Sequence, residues 1–214
     1  MPKRTSAASD SVYRVTIVTL DGHLAGAAHR AFDALATDDL KIAVTMHCAG
    51  EWQAKPELLK RCHDDIARAD IVVACMLFLD DHIKAVLPAL KARRDACDAM
   101  VCFMSDGDVI RLTRIGQFDM SGPTSAPMAM LKRLRGSKHK DSASSGEKQM
   151  AMLNRLPRIL RFIPGTAQDV RAYFLAMQYW LAGSEQNIAN MVRYLACRYR
   201  QVDGKHANRG VKVP

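Results

Sequence analysis

The first hundred residues alternate β-branched apolar runs with helical stretches, and this alternation limits the possible folds more than any other feature. The runs that predict strands are Tyr13 to Leu20, Leu40 to His47, Ile71 to Leu79 and Ala99 to Met104. The stretches that predict helices are Leu24 to Thr37, Pro56 to Arg68 and Asp81 to Arg94. Strands joined by helical crossovers form a parallel sheet with helices on its faces. The sequence therefore predicts an α/β fold with a flavodoxin-like or Rossmann-like parallel sheet layer, followed by a helical hairpin annex.

The pattern changes after Asp119 to MSGPTSAP, then to a Met-rich helical piece, and then to the small, polar and charged RGSKHKDSASSGEK. This last segment cannot bury enough apolar area to order itself, so we expect a linker over 121–152 with a disordered basic loop at about 132–148. Over 153–200 apolar residues recur at three- and four-residue spacing and predict a helical hairpin that turns at Gly183, with Thr166 and Ser184 as helix caps. The hairpin needs a packing partner, either the α/β layer or chain that follows Pro214. The remaining expected regions are a disordered leader at 1–11, an α/β domain at 12–120 and a severed linker at 201–214.

The formal net charge of +9 is concentrated in one loop and one tail. The residues responsible are Lys132, Arg133, Arg135, Lys138 and Lys140 in the loop, and Arg198, Arg200, Lys205, Arg209 and Lys212, partly offset by Asp203, in the tail. Apart from Tyr199, the two stretches contain no aromatic side chain that would stack on bases, so no nucleic-acid partner is predicted. Solvated segments explain the charge, and an acidic partner or phosphate-rich surface is the alternative.

The six cysteines show no C-x-x-C pair and lie mostly within apolar patterns, which indicates reduced core thiols. The sequence contains no run of eighteen apolar residues and no secretory signal before Val12. We therefore expect a cytoplasmic protein without a transmembrane segment.

One turn has the sequence pattern of a cofactor-binding site. Asp21, His23 and Gly26 directly follow the first predicted strand in the pattern D-x-H-x-x-G, by which cobalamin-binding domains present an axial histidine to cobalt. The same pattern also requires a Ser-x-Leu and a Gly-Gly after later strands. Cys75-Met76-Leu77 and Ser105-Asp106-Gly107 stand at those places, so one partner is altered and the other is missing.

A second arrangement resembles the acidic cluster of receiver domains, because Asp21, Asp80, Asp81 and Asp106 fall at predicted strand ends. Such a cluster would hold Mg²⁺ for phosphoryl transfer. These aspartates lie on different loops and no strand ending in Lys follows, so solvated loop carboxylates are the simpler interpretation. The sequence has no zinc-type histidine spacing, Walker A sequence, G-x-S-x-G or G-x-G-x-x-G.

Two segments carry a resemblance to a known family. They are RVTIVTLDGHLAGA, from Arg14 to Ala27, and the helical stretch from Leu153 to Ala196 that contains RFIPGTAQDVRAYFLAMQYWLAGS. Both resemble the amino-terminal region of the large porphyrin-binding subunit (H subunit) of magnesium chelatase, and the cobaltochelatase large subunit is related more distantly. The resemblance spans about Val12 to Tyr199.

The resemblance implies a much longer parent subunit that binds protoporphyrin IX as substrate and inserts Mg²⁺ in chlorophyll and bacteriochlorophyll synthesis. Its partners would be the rest of the large subunit and two AAA+ motor subunits that hydrolyse ATP. The resemblance implies that the parent subunit is an enzyme. Because the insertion site of the family is understood to lie in later domains, this fragment is expected to be non-catalytic. An alternative function is a stand-alone tetrapyrrole or corrinoid module that uses the D-x-H-x-x-G turn.

The chemistry of porphyrins suggests candidate residues for binding the substrate. The guanidinium groups of Arg158 and Arg161 are suited to bind propionates through two hydrogen bonds each. His23 with Asp21 has the chemistry of a base or ligand. The competing interpretation is that the arginines pair with carboxylates of neighbouring domains and that His23 caps the helix that follows it.

Overall fold

A computed structural model describes residues 12–20, 22–36, 40–122, 165–202 and 205–206. Its strands are β1 (Tyr13–Thr19), β2 (Ile42–Cys48), β3 (Ile71–Cys75), β4 (Ala99–Phe103), β5 (Arg114–Ile115), β6 (Phe118–Asp119), β7 (Gln201–Val202) and β8 (Lys205–His206). Its helices are α1 (Ala25–Ala36), α2 (Pro56–Arg68), α3 (Asp80–Arg93), the short α4 (Gly107–Ile110), α5 (Thr166–Ala182) and α6 (Glu185–Tyr199). A 3₁₀ turn, Ala49–Glu51, follows β2.

The main sheet has the strand order β2-β1-β3-β4-β5-β6. Strands β1 to β4 are parallel, and β5 and β6 add an antiparallel hairpin at one edge. Strand order reverses between β1 and β3, which makes their carboxyl ends the topological switch point where such sheets place ligands. The predicted α/β class with a flavodoxin-like parallel layer is confirmed.

Each face of the sheet buries its own cluster of apolar side chains. On one face, α2 and α3 cover Val18, Val72 and Met100. On the other face, α1, α5 and α6 cover Ile17, Val73 and further side chains of β1 to β4. Because β3 is buried on both faces, its sequence is apolar at every position, as in central parallel strands.

The helical hairpin α5–α6 packs on the α/β layer and belongs to the same buried cluster as α1. Gly183 ends α5 in the left-handed conformation, with φ of 63°, and the Ser184 hydroxyl caps α6 by accepting from the Asn187 amide. Both of these predictions are confirmed. Of the two packing partners considered for the hairpin, the structure contains the first.

Three local features differ from the sequence prediction. β3 ends at Cys75, four residues before Leu79, because Met76 adopts φ of 58° and turns the chain out of the sheet. The β5–β6 hairpin was not predicted, since strands of two residues carry too little periodicity to detect. The cap of α5 was also predicted wrongly: Gly165 occupies the N-cap position, and the Thr166 hydroxyl instead donates to the Gln117 side chain.

Within the described ranges, no helix combines the length and apolar character that crossing a membrane requires. The expected leader, the basic loop at about 132–148 and most of the tail lie outside those ranges.

Candidate functional site

The turn after β1 lies at the switch point, at the carboxyl edge of the sheet. His23 and Gly26 are exposed there, and the amide of Ala25 closes the turn by donating to the Gly22 carbonyl at 2.8 Å. The turn packs on the α5–α6 connection: a Cβ added to Gly183 would approach the Leu24 side chain to 3.0 Å. The predicted position of His23 at the end of a strand is therefore correct, and its proposed ligand role stays a prediction.

The loops after β3 and β4 are joined at the same edge. The Ser105 hydroxyl accepts from the Leu77 amide at 3.1 Å and donates to the Phe103 carbonyl at 3.2 Å, while the Asp106 amide donates to the Leu77 carbonyl at 2.8 Å. Met76 and Met104 both have positive φ, a strained conformation for residues with a side chain. The hydrogen bonds between the two loops thus stabilise the positive φ of Met76 and Met104.

These loops expose an apolar pair, Phe78 and Leu79, with relative exposures of 53% and 54%. Large apolar side chains held exposed at the ligand-binding edge of an α/β sheet are typical of an interaction surface. Because the run from Ile71 to Leu79 was interpreted as one buried strand, sequence reasoning missed this pair. The signal that would have found it is the length of the run, since nine apolar residues exceed the commonest strand length of about five to six residues.

An aromatic contact joins Trp52, in the turn after β2, to His82, in the first turn of α3. Their rings meet edge to face, with centroids 5.9 Å apart. Within the described residues, neither Trp52 Nε1 nor His82 Nδ1 has a hydrogen-bond partner, although both atoms are buried. The T-shaped arrangement gives the two rings a favourable quadrupole contact in place of a hydrogen bond.

The acidic residues of the receiver-like pattern have separate surroundings. Asp80 and Asp81 are exposed in the first turn of α3, where carboxylates favour the helix dipole, and Asp106 caps α4 by accepting from the Asp108 amide at 2.8 Å. In the described part of the chain, no three His, Cys, Asp or Glu side chains are grouped so that they could hold a metal ion.

The cysteines have the chemistry of core residues. Cys62, Cys75, Cys97 and Cys102 are buried, and none of the six forms a disulfide. Burial raises the pKa of the Cys62 and Cys75 thiols to about 12 and also raises the pKa of Cys102. These thiols are protonated at neutral pH and are poor nucleophiles.

A second polar feature lies away from the switch point, between β2 and α2. His47 Nε2 is 2.9 Å from Asp65 Oδ2, and Arg68 donates to the other carboxylate oxygen at 3.0 Å. The pair lines an open groove of about 550 Å³. The sequence indicated that His47 stands at a strand end but carried no signal linking it to a helix residue eighteen positions later.

The structure places only some of the predicted site residues. His23 and Gly26 share the exposed β1–α1 turn. Asp21, Arg158 and Arg161 lie outside the described residues. Their predicted roles in ligand or propionate binding therefore stay predictions.

Comparison with known proteins identifies a family and several relatives of this chain. The family described as "Domain of unknown function (DUF3479)" matches residues 14–174. The magnesium-chelatase H subunit of Cereibacter sphaeroides is 50% identical over 187 residues, which are 87% of this chain and 16% of that protein. The H subunit of Rhodobacter capsulatus is 51% identical over the same shares. The chloroplastic ChlH subunit of Oryza sativa subsp. indica is 31% identical over 138 residues, 63% of this chain and 10% of that protein. The chain thus spans about a sixth of the length of the bacterial relatives.

Proposed function

The chain belongs to the DUF3479 family and matches the amino-terminal region of the magnesium-chelatase H subunit; from this premise we propose that it is a non-catalytic domain of a subunit that inserts Mg²⁺ into protoporphyrin IX. The whole enzyme would include the rest of the large subunit and two AAA+ subunits that supply energy from ATP. Within that assembly, this domain presents the carboxyl edge of its sheet to the tetrapyrrole-binding part of the large subunit.

Metal insertion requires a cavity for a flat apolar macrocycle, cations for its propionates, a base for the pyrrole protons and oxygen ligands for Mg²⁺. At the carboxyl edge of this domain, two of the polar side chains already serve the fold. Ser105 joins two loops and Asp106 caps a helix. Beside the exposed His23, Asp80 and Asp81, the edge offers a partner the apolar surface of Phe78 and Leu79. This surface fits support of a macrocycle or of its binding walls better than proton transfer.

The observation that carries the proposal is the exposed pair Phe78 and Leu79, held at the switch point by the bonds between Leu77, Ser105 and Asp106. A rigid apolar projection loses little conformational entropy when it is covered, so its burial contributes to affinity. The rigidity comes from the two joined loops.

The test uses the full-length H subunit with its partner subunits and the double variant Phe78→Ser, Leu79→Ser. We expect weaker porphyrin binding by fluorescence quenching and slower Mg²⁺ insertion, by about tenfold if one buried aromatic contact is lost. Val12→Ser is the matched control, because Val12 is also exposed but precedes β1 at the opposite edge of the sheet. Unchanged affinity and rate in the double variant would refute the proposal.

The alternative, a stand-alone corrinoid or tetrapyrrole module, draws support from the exposure of His23 at the switch point. Titration of the 214-residue chain with deuteroporphyrin and with cobalamin separates the two functions. A Soret shift that disappears in His23→Ala would favour the stand-alone module. No binding of either compound would eliminate it.

A further inference from the structure

The groove beside His47 runs along the open edge of the main sheet. Four consecutive residues of β2, Val44 to His47, line it. Because successive side chains of a strand point to opposite faces, a groove that touches four in a row must contact the edge of the strand. Its two walls are helices from opposite faces of the sheet, with His29 and Phe32 of α1 on one side and residues of α2 from Leu58 to Arg68 on the other.

The hydrogen-bond register shows which peptide groups face this groove. The Tyr13 amide donates to the Lys41 carbonyl, and Tyr13 is paired with Ile42. In a parallel ladder, the N–H and C=O groups of one residue point toward one neighbouring strand, and those of the next residue point toward the opposite side. The peptide groups of Ala43, Thr45 and His47 therefore face β1, and those of Val44 and Met46 face the groove. No described strand pairs with this side of β2.

Among the described residues, β2 itself carries none of the usual sequence features that protect an edge against pairing. β2 has seven residues, IAVTMHC, and contains no proline, lysine or other fixed charge. Natural proteins protect such edges with charges, prolines or bulges, or cover them. An unprotected edge of this length in a groove of about 550 Å³ has the features of a strand-addition site.

The shape of the groove selects the kind of occupant. The edge lies between α1 and α2, which both line the groove, so the same two helices on a second copy hinder its β2 from approaching to the spacing of about 4.8 Å that pairing requires. A single extended segment carries no flanking helices and meets no such obstacle. The matched residues are only 16% of the H subunit of Cereibacter sphaeroides, so most of that relative has no counterpart in this chain.

We infer that the open edge of β2 takes up an extended segment from the rest of the H subunit, which pairs with the peptide groups of Val44 and Met46. Alternate side chains of that segment face Phe32 and are apolar, and the others face the acidic and basic side chains of α2 that line the groove. The identity of the occupant rests on the proposed function. The inference concerns assembly of the large subunit, so its test does not depend on Mg²⁺ insertion or porphyrin binding.

The test is residue-resolved amide hydrogen exchange on the 214-residue chain and on the full-length H subunit. In the chain alone, the amides of Ala43, Thr45 and His47 should exchange slowly and those of Val44 and Met46 rapidly. In the full-length protein, exchange at Val44 and Met46 should become about 100-fold slower or more, as for bonds that break only on local opening. Slow exchange at both amides in the chain alone, or rapid exchange in the full-length protein, would overturn the inference.

A matched pair of variants separates the backbone from the side chain. Val44→Pro removes the outward N–H but leaves the bonds to β1, as proline on an edge strand does, while Val44→Ala removes the side chain and retains the N–H. We expect Val44→Pro, and not Val44→Ala, to restore rapid exchange at Met46 in the full-length protein. Equal exchange in the two variants would contradict strand pairing, and the wild-type comparison stands even if the proline variant does not fold.

The source of the segment is determined by a photo-crosslinker, p-benzoylphenylalanine, in place of Phe32 in the assembled enzyme. The expected product links position 32 to a part of the same polypeptide outside the 214 residues. A crosslink only to another polypeptide, or to a second copy of this chain, would overturn the assigned occupant even if exchange at β2 is slow.

Discussion

The Tyr199 hydroxyl donates a hydrogen bond of 2.9 Å to Asp169 Oδ1, joining the end of α6 to the first turn of α5. The same carboxylate accepts from Arg198 at 3.1 Å and, through its other oxygen, from the Gln117 amide at 2.9 Å. One buried side chain therefore ties the helical hairpin to the β5–β6 turn at the edge of the sheet.

Asp169→Asn should destabilise the chain by about 3 kcal/mol, because it leaves Arg198 without its anion and replaces an acceptor with a donor in a buried network. Urea unfolding monitored by circular dichroism measures this difference. Asp108→Asn is the control, since Asp108 makes an exposed 3.4 Å ion pair with Arg111 that should be worth less than about 1 kcal/mol. Equal losses in the two variants would show that the Asp169 network does not stabilise the fold.

Gly116→Ala should cost about 2–4 kcal/mol, for two reasons that act together. Gly116 has φ of 55°, a region that L-residues disfavour, and an added Cβ would overlap the Asp169 carboxylate. Gly107→Ala is the matched control, because Gly107 has nothing within 4 Å of an added Cβ and begins a helix. Thermal unfolding of both variants tests the difference, and a Gly116→Ala protein as stable as Gly107→Ala would contradict it.

The stability of the chain should fall at alkaline pH through Tyr199. Burial, and then the charge of Asp169, raise the pKa of Tyr199 above the ordinary value of about 10. The unfolded state loses this proton first, so the stabilisation is complete below pH 10 and decreases as pH rises toward the folded-state pKa, by about 1.4 kcal/mol per pH unit.

Tyr199→Phe should remove this contribution and give a flatter dependence of unfolding free energy on pH above 10. Tyr13 and Tyr173, whose pKa values burial also raises, remain in both proteins and form the common background. The measurement is urea unfolding between pH 8 and pH 11; as pH rises through 10, Tyr199 alone should add up to about one proton to those released on unfolding. Identical slopes for wild type and variant would disprove the role of Tyr199.

Thiol labelling should distinguish two classes of cysteine in the folded chain. Cys62, Cys75 and Cys102 are buried with raised pKa values, so iodoacetamide at pH 8 should label them only after unfolding. Cys48 and Cys197 are half-buried and should react faster. Mass spectrometry of tryptic peptides gives the rates, and rapid labelling of Cys75 in the native chain would refute the assignment of these thiols to the core.

The sequence predicted features whose cause is local. Pro56 begins α2, Gly183 ends α5 and Ser184 caps α6, because each is favoured by the backbone conformation or the unpaired amides at its own position. The family resemblance was likewise confirmed by the comparisons. The long-range contacts could not be predicted. Asp169 had the spacing of a capping residue, and only the packed structure brings Gln117 to it from 52 positions earlier.

The apolar pair was missed for a related reason. Phe78 and Leu79 have the composition of a buried strand, and a positive φ at Met76 carries them into solvent. Sequence periodicity does not encode that change of direction, because it depends on bonds to Ser105 in the next loop. At the candidate site, the sequence thus predicted the position of His23 after β1, but not the apolar side chains that the same edge exposes.

The sharing of one buried cluster by α1, α5 and α6 also has a consequence for synthesis of the protein. The ribosome releases β1 to β6 before it has made α5 and α6, which help to cover one face of the sheet. Translating from Asp119 to Tyr199 takes roughly 4–16 s at about 5–20 residues per second. During that interval the nascent sheet exposes Phe103 and Phe118, whose rings contact Tyr173 of α5 in the folded chain, which makes this the stage at which a chaperone would bind.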